Sequence, residues 1–185
     1  MTIDRRPVTA AELAMLPDDG VRREIAHGEV VIMSPTGGRH GRVAAEIAYR
    51  LTDFNKRNGR PGEVLVGDVG VLLQRDPDTL RAPDVGFFLQ EHLPGGEVPV
   101  GFFEGVAPDI VVEVISPSDR PGEVLAKAAE WRRGGAKIVW LVDPEAERVL
   151  VLQAGRDLRA VQSSELLTAE PVLPGFSVLV SELFS

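Results

Sequence analysis

With 185 residues, 44% of them hydrophobic and 26% charged, the chain has an ordinary globular composition and is long enough to bury a core. The absence of cysteine excludes disulfides, thiolate zinc sites and cysteine nucleophiles. No apolar run nears the roughly 20 residues of a membrane span, residues 1–8 lack the apolar core of a signal peptide, and the net charge of −8 argues against a strong nonspecific nucleic-acid binder; a cytoplasmic location is expected.

Thr9-Ala10-Ala11-Glu12 has capping-box spacing, which predicts a short helix over 10–16. Pro17-Asp18-Asp19-Gly20 ends it as a turn. Residues 22–26 and 29–33 read as a hairpin about His27-Gly28, and Ser34-Pro35-Thr36-Gly37-Gly38 as a loop. Val43, Ile47, Leu51 and Phe54 then define a long amphipathic helix over 41–56. Between Arg39 and Arg60, six basic residues face two acidic ones, a net +4 that leaves −12 for the rest. Such a stripe can dock a phosphate backbone, but it reads first as solvated surface.

Strands are predicted over 63–66, 69–74 and 83–89, with 75–79 as a turn-rich connection and 90–108 as an extended loop, lid or edge. The apolar strand 109–115 follows, broken by Ser116-Pro117-Ser118-Asp119. A helix over 121–133 begins with proline and closes on Gly134-Gly135. Residues 136–143 read as a buried strand, 148–153 and 158–163 as a hairpin or meander. Pro174-Gly175-Phe176 leads into a last strand and short helix. The pattern is that of one α/β domain over 1–185, in which the 109–143 crossover favours parallel pairing of its two strands.

One carboxylate has no local explanation. Glu113 stands inside Asp109-Ile110-Val111-Val112-Glu113-Val114-Ile115, a run hydrophobic enough for a sheet covered on both faces. A carboxylate there must find a cation, a donor or a proton. Lys127 is available, beside Trp131 on the rim of the Val124, Ala128, Trp131 stripe, where a long stem can carry its ammonium to the sheet edge. Asp84 opens another apolar strand. Two strand-borne acids and a lysine point to a metal-dependent phosphodiesterase centre. Asp84 and Glu113 would hold Mg²⁺ or Mn²⁺, with the Val114 backbone carbonyl as a further oxygen ligand, and Lys127 would orient or help deprotonate water, or stabilise developing charge. Each part also has a plainer reading. Glu123 and Lys127 have the spacing of a helix salt bridge, Pro83-Asp84 is a common strand starter, and His27 and His92 read as turn or surface residues.

Pro83-Asp84, Glu113-Val114-Ile115-Ser116-Pro117-Ser118, Lys127 and Trp140-Leu141-Val142-Asp143-Pro144 together resemble the Uma family of restriction-endonuclease-like proteins, within the PD-(D/E)xK nuclease superfamily. The likeness extends to Arg23-Glu24-Ile25-Ala26-His27-Gly28-Glu29, to Met33-Ser34-Pro35 with His40, and to Leu173-Pro174-Gly175-Phe176. It implies a restriction-endonuclease-like fold, a mixed central sheet flanked by helices, with a C-terminal hairpin or meander. It also implies metal-binding roles for Asp84 and Glu113, Lys127 as the catalytic lysine, and auxiliary roles for Glu24 and His40. The superfamily's usual lysine position, two after the acid, is Ile115 here, so Lys127 must substitute from the helix. Glu123 and Trp131 stand where the family often has aspartate and tyrosine.

The leading expectation is a Mg²⁺- or Mn²⁺-dependent endonuclease acting on DNA, possible as a homodimer because cutting two strands often uses two copies. The alternative is a non-catalytic nucleic-acid-binding or assembly module on a degenerate nuclease fold. A two-carboxylate glycosidase ranks last, since it has no use for the lysine and the chain has only 5% aromatics.

Overall fold

The structure, a computed structural model, describes residues 6–17 and 19–185. Asp18 of the expected turn and the first five residues of the N-terminal segment lie outside them. Helix α1 (Ala10–Ala14) carries the full capping box. Glu12 N donates to Thr9 Oγ1 at 3.2 Å, and Thr9 N to Glu12 Oε2 at 3.0 Å. Strands β1 (Arg23–Ala26) and β2 (Glu29–Ile32) form the hairpin. Its turn places His27 at φ +49° and Gly28 at φ +82°. A Cβ on Gly28 would come within 2.4 Å of the Pro7 side chain, so glycine is required there.

Helix α2 (Gly38–Arg57) is longer than its apolar pattern and buries Val43, Ile47, Leu51 and Asn55. Asn55, rather than Phe54, completes the buried stripe, because its amide bonds both the carbonyl and the N–H of Gly62. Phe54 lies at the margin, edge-on to Phe176 with ring centroids 5.4 Å apart.

The remaining strands are β3 (Gly62–Val66), β4 (Val71–Gln74), β5 (Thr79–Arg81), β6 (Val85–Leu89), β7 (Phe103–Glu104), β8 (Ile110–Val114), β9 (Ile138–Asp143), β10 (Arg148–Gln153), β11 (Arg159–Val161), β12 (Leu166–Thr168) and β13 (Ser177–Leu179). Helix α3 (Pro121–Arg133) joins β8 to β9, and those two strands pair in parallel as the crossover predicts. A six-stranded mixed sheet runs β11-β10-β9-β8-β6-β3, a five-stranded sheet runs β2-β1-β5-β4-β7, and β12 pairs with β13. Three short strands went unread in the sequence. β5 begins at the last residue of the expected 75–79 connection, β12 follows the expected 148–163 meander, and β7 turns part of the 90–108 loop into an edge strand parallel to β4. Among the described residues, no helix is long and apolar enough to cross a membrane.

Alternation along the central strands sends side chains to two cores. Ile110, Val112 and Val114 face α2 and the C-terminal segment, with Trp140 and Phe176. Val111, Val139 and Leu141 face α3, with Trp131, Phe88 and Phe103. Glu113 follows Val111 by two residues, so it projects on the α3 side, toward the five-stranded sheet.

Candidate active site

The C-terminal end of β8 is where the two sheets, α3 and the start of α2 converge. Asp84 immediately precedes Val85, whose ladder partner is Val112, so the next step of that register sets Asp84 opposite Glu113. Backbone bonds fix it there. Asp84 N donates to the Val112 carbonyl at 3.1 Å, and Asp84 Oδ2 accepts from Val114 N at 2.7 Å. His40, in the first turn of α2, brings Nε2 to 3.2 Å from the same oxygen.

Glu113 uses both oxygens. Oε1 accepts from Trp131 Nε1 at 2.7 Å, and Oε2 from Lys127 Nζ at 3.0 Å. Lys127 and Trp131, four residues apart on α3, thus grip one carboxylate. The Lys127 ammonium also donates to Glu24 Oε1 at 3.0 Å. Glu24, on β1, is held by Ala82 N at 3.1 Å and Arg81 Nη1 at 2.9 Å. The plainer reading of Lys127 therefore gives way, since Glu123 pairs with Arg120 instead. Ile115, two residues after Glu113, lines the same cavity as Lys127, which reaches it from α3.

This cluster opens into a cavity of about 530 Å³. Its lining residues include Glu24, Asp84, Glu113, Lys127 and Val114, with Ser34, Thr36, Ser116 and Ser118. Glu113 is 13% exposed and Lys127 18%, enough for a ligand to reach them.

Burial dominates the electrostatics of Glu113. Desolvation, opposed by the charge of Lys127 and reinforced by Asp84 and Glu24, pushes its carboxyl up to about 7. Burial works to lower the pKa of Lys127, but Glu113 and Glu24 outweigh it and hold the ammonium above its ordinary value. For Asp84, burial acts upward, yet the hydrogen bonds from His40 and Val114 N prevail and keep it below the usual carboxylate range. The bond to Asp84 raises His40 in turn, against burial. Glu24 is likewise lowered, because Lys127 and Arg81 overcome its desolvation.

A stability effect follows for the metal-free protein. A carboxyl whose folded pKa lies above its unfolded value favours folding below the unfolded value and loses that contribution as pH climbs through the folded one. For Glu113 the window runs from 4.5 to about 7. Glu113→Gln removes this loss, so denaturant melts in chelator should show the variant gaining on wild type by up to ~3 kcal/mol between about pH 5 and 8, at ~1.36 kcal/mol per unit. A difference independent of pH would contradict this origin.

Sequence reading missed Arg81 and Glu130, and took Trp131 as a purely apolar stripe residue. Arg81 lies on β5, too short to show a period. Glu130 stands three residues after Lys127, a visible spacing that had no partner to give it meaning. His27 is a turn residue as expected, but its Nε2 is 3.3 Å from Glu130 Oε1. His92 approaches buried Asp109 at 2.9 Å.

Half of the basic residues of the stripe on and after α2 are paired with acids. Arg50 pairs with Glu46 and Glu182, Arg57 with Asp53, Arg39 with Glu147, and Arg42 donates to the Phe184 carbonyl. That fits the solvated-surface reading.

The sequence matches the Uma2 family, described as "Putative restriction endonuclease", over residues 10–181. The chain belongs to the Uma2 family. The resemblance drawn from its motifs is thereby borne out. Among solved structures, this Uma2 chain is similar to a putative nuclease of the DUF820 group from Anabaena variabilis ATCC 29413, at 20% identity and a TM-score of 0.83, covering 96% of this chain and 98% of that one. At that identity the likeness bears on the fold, which is the expected mixed α/β, nuclease-like one. No curated protein matches the sequence.

Proposed function

We propose that this Uma2 protein is a divalent-metal-dependent endonuclease that hydrolyses DNA phosphodiester bonds, with Asp84 and Glu113 as metal ligands and Lys127 as the catalytic cation. The observation that carries this reading is the Lys127 ammonium, held 3.0 Å from Glu113 on the wall of an open cavity that Asp84 also lines. Packing alone gives no reason to hold two nearly buried acids on one lysine with a third acid on the same cavity wall, and that counts against a degenerate, non-catalytic module.

The donor set fits a hard cation. Asp84 and Glu113 offer oxygen ligands on adjacent strands, and a divalent ion would favour the ionised form of Glu113 that burial, with a smaller contribution from Asp84 and Glu24, disfavours. Among the described residues no three His, Asp or Glu side chains group as a ready-made metal site. The Val114 carbonyl, solvent and substrate phosphate would complete the shell, as is common for Mg²⁺. When bound, the cation supplies Lewis-acid polarisation and a more acidic water.

The chain's own residues provide the setting. His40 and Val114 N fix the Asp84 carboxylate and keep it ionised. Trp131 fixes the Glu113 carboxylate from behind. Lys127 stays protonated at neutral pH, so its role is to stabilise charge developing on the phosphoryl oxygens rather than to take a proton. A homodimer would offer two such centres, one for each strand of a duplex.

Incubation with supercoiled plasmid tests this directly. Nicking should require Mg²⁺ or Mn²⁺ and stop on chelation; nicking that persists in excess chelator, or a protein inert with either metal, defeats the reading.

A further inference from the structure

An ion-pair chain runs from the cavity wall, which Glu24 and Arg81 help to line, to Glu130 on α3, and it meets the groups assigned to the reaction through the Glu24–Lys127 bond. Arg81 bridges two carboxylates with opposite edges of its guanidinium. Nη1 donates to Glu24 Oε2 at 2.9 Å, while Nε and Nη2 reach Glu130 Oε2 at 2.7 and 2.6 Å. All three side chains are nearly sealed, with 10% exposure for Arg81, 9% for Glu130 and 5% for Glu24. The fork ties β1 and β5 of the five-stranded sheet to α3, the helix that carries Lys127.

We infer that Arg81 and Glu130 are positioning residues that set the Lys127 ammonium against Glu113 by clasping Glu24, an inference that rests on the nuclease reading for its catalytic consequence. Glu24 has two oxygens and two cations. With Oε2 committed to Arg81 and Oε1 shared between Ala82 N and Lys127, it holds the ammonium without capturing it. Removing Arg81 leaves Glu24 and Glu130 buried with little to offset them but Lys127 and the half-exposed His27. Buried unpaired carboxylates are costly, so Lys127, one helical turn from Glu130, is drawn toward them and off Glu113. A lysine at 81 would keep the charge but lacks the planar fork needed to span both acids.

The experiment is a double-mutant cycle on plasmid nicking. Arg81→Met should lower kcat by about 30-fold with KM changed by less than about twofold, the scale of a small misplacement of a reacting group. In a Glu24→Gln background the same substitution should cost less than about threefold, because its effect travels through that carboxylate. Arg81→Lys should fold, still lose about tenfold in kcat, and serve in the cycle should Arg81→Met not fold. Equal losses in both backgrounds, or a lower Tm with kcat unchanged, overturn the inference and leave a purely structural clasp. If wild type cleaves nothing, the nuclease reading has failed, and the clasp is read without activity. The chain has lysines only at 56, 127 and 137, so the Lys127 side-chain ¹⁵N resonance can be followed alone. It should move in Arg81→Met and hold still when Glu24→Gln is already present; a resonance indifferent to Arg81 in the wild-type background overturns the positioning role itself.

Discussion

Glu113→Ala should abolish metal-dependent nicking, and Lys127→Met should lower it by about 10²–10³-fold, the range for removing one preorganised charge-stabilising group. The two losses differ in origin. Glu113 lies at the centre of the constellation, bonded by Lys127 and Trp131 and standing opposite Asp84. Its removal deletes a proposed metal ligand and frees the lysine to settle on Glu24. Methionine at 127 keeps the apolar stem and most of the packing but leaves Glu113 and Glu24 facing each other with no ammonium between them. Both then shift toward protonation, so the variant should recover some stability, but not cleavage, as pH falls. Rates measured with saturating Mn²⁺ check this; a Lys127→Met enzyme within about tenfold of wild type would remove the lysine from the reaction.

Trp131→Ala should cost roughly 4–6 kcal/mol, a large part of the ~5–15 kcal/mol typical of a domain. Trp131 is fully buried in the core between α3 and the central sheet. Truncation opens a cavity there and strips Glu113 Oε1 of its donor at 2.7 Å. Trp131→Phe separates the two effects. It retains most of the ring volume, so its cost should fall to about 2 kcal/mol, the scale of a hydrogen bond to a charged group. Equilibrium denaturation at pH 8 measures both. Equal costs for the two variants would assign the whole effect to the hydrogen bond, and a harmless phenylalanine would show that bond to be dispensable.

Much of this site was legible because the sequence breaks its own pattern at Glu113. A carboxylate in an apolar strand demands a partner, and helix periodicity puts Lys127 and Trp131 on one rim. Helix α3 was bounded correctly because proline opens it and two glycines close it. Asp84 was less distinctive. Pro83-Asp84, Pro108-Asp109 and Asp143-Pro144 look alike in sequence, and only the fold sorts them. Asp109 is a buried hub bonding Leu89 N, His92 and Lys137. Asp143 caps a turn through Glu145 N and Ala146 N. Asp84 alone of the three lines the large cavity.

What escaped was short or tertiary. Strands of two or three residues, such as β5, β7 and β12, contain too little alternation to register as a period. With β5 unseen, the division into two sheets was hidden, and so was the place of Arg81 between Glu24 and Glu130. The donor role of Trp131 was hidden by its apolar body, since an indole reads as core until something polar is seen within reach of its N–H.

Crystals soaked in Mn²⁺ give the most direct measurement, with anomalous scattering recorded from wild type and from Asp84→Asn. An anomalous peak between the carboxylates of Asp84 and Glu113, absent in the variant, is the expected result. A peak that survives the substitution, or manganese bound elsewhere while this cavity holds only solvent, would contradict the proposed centre.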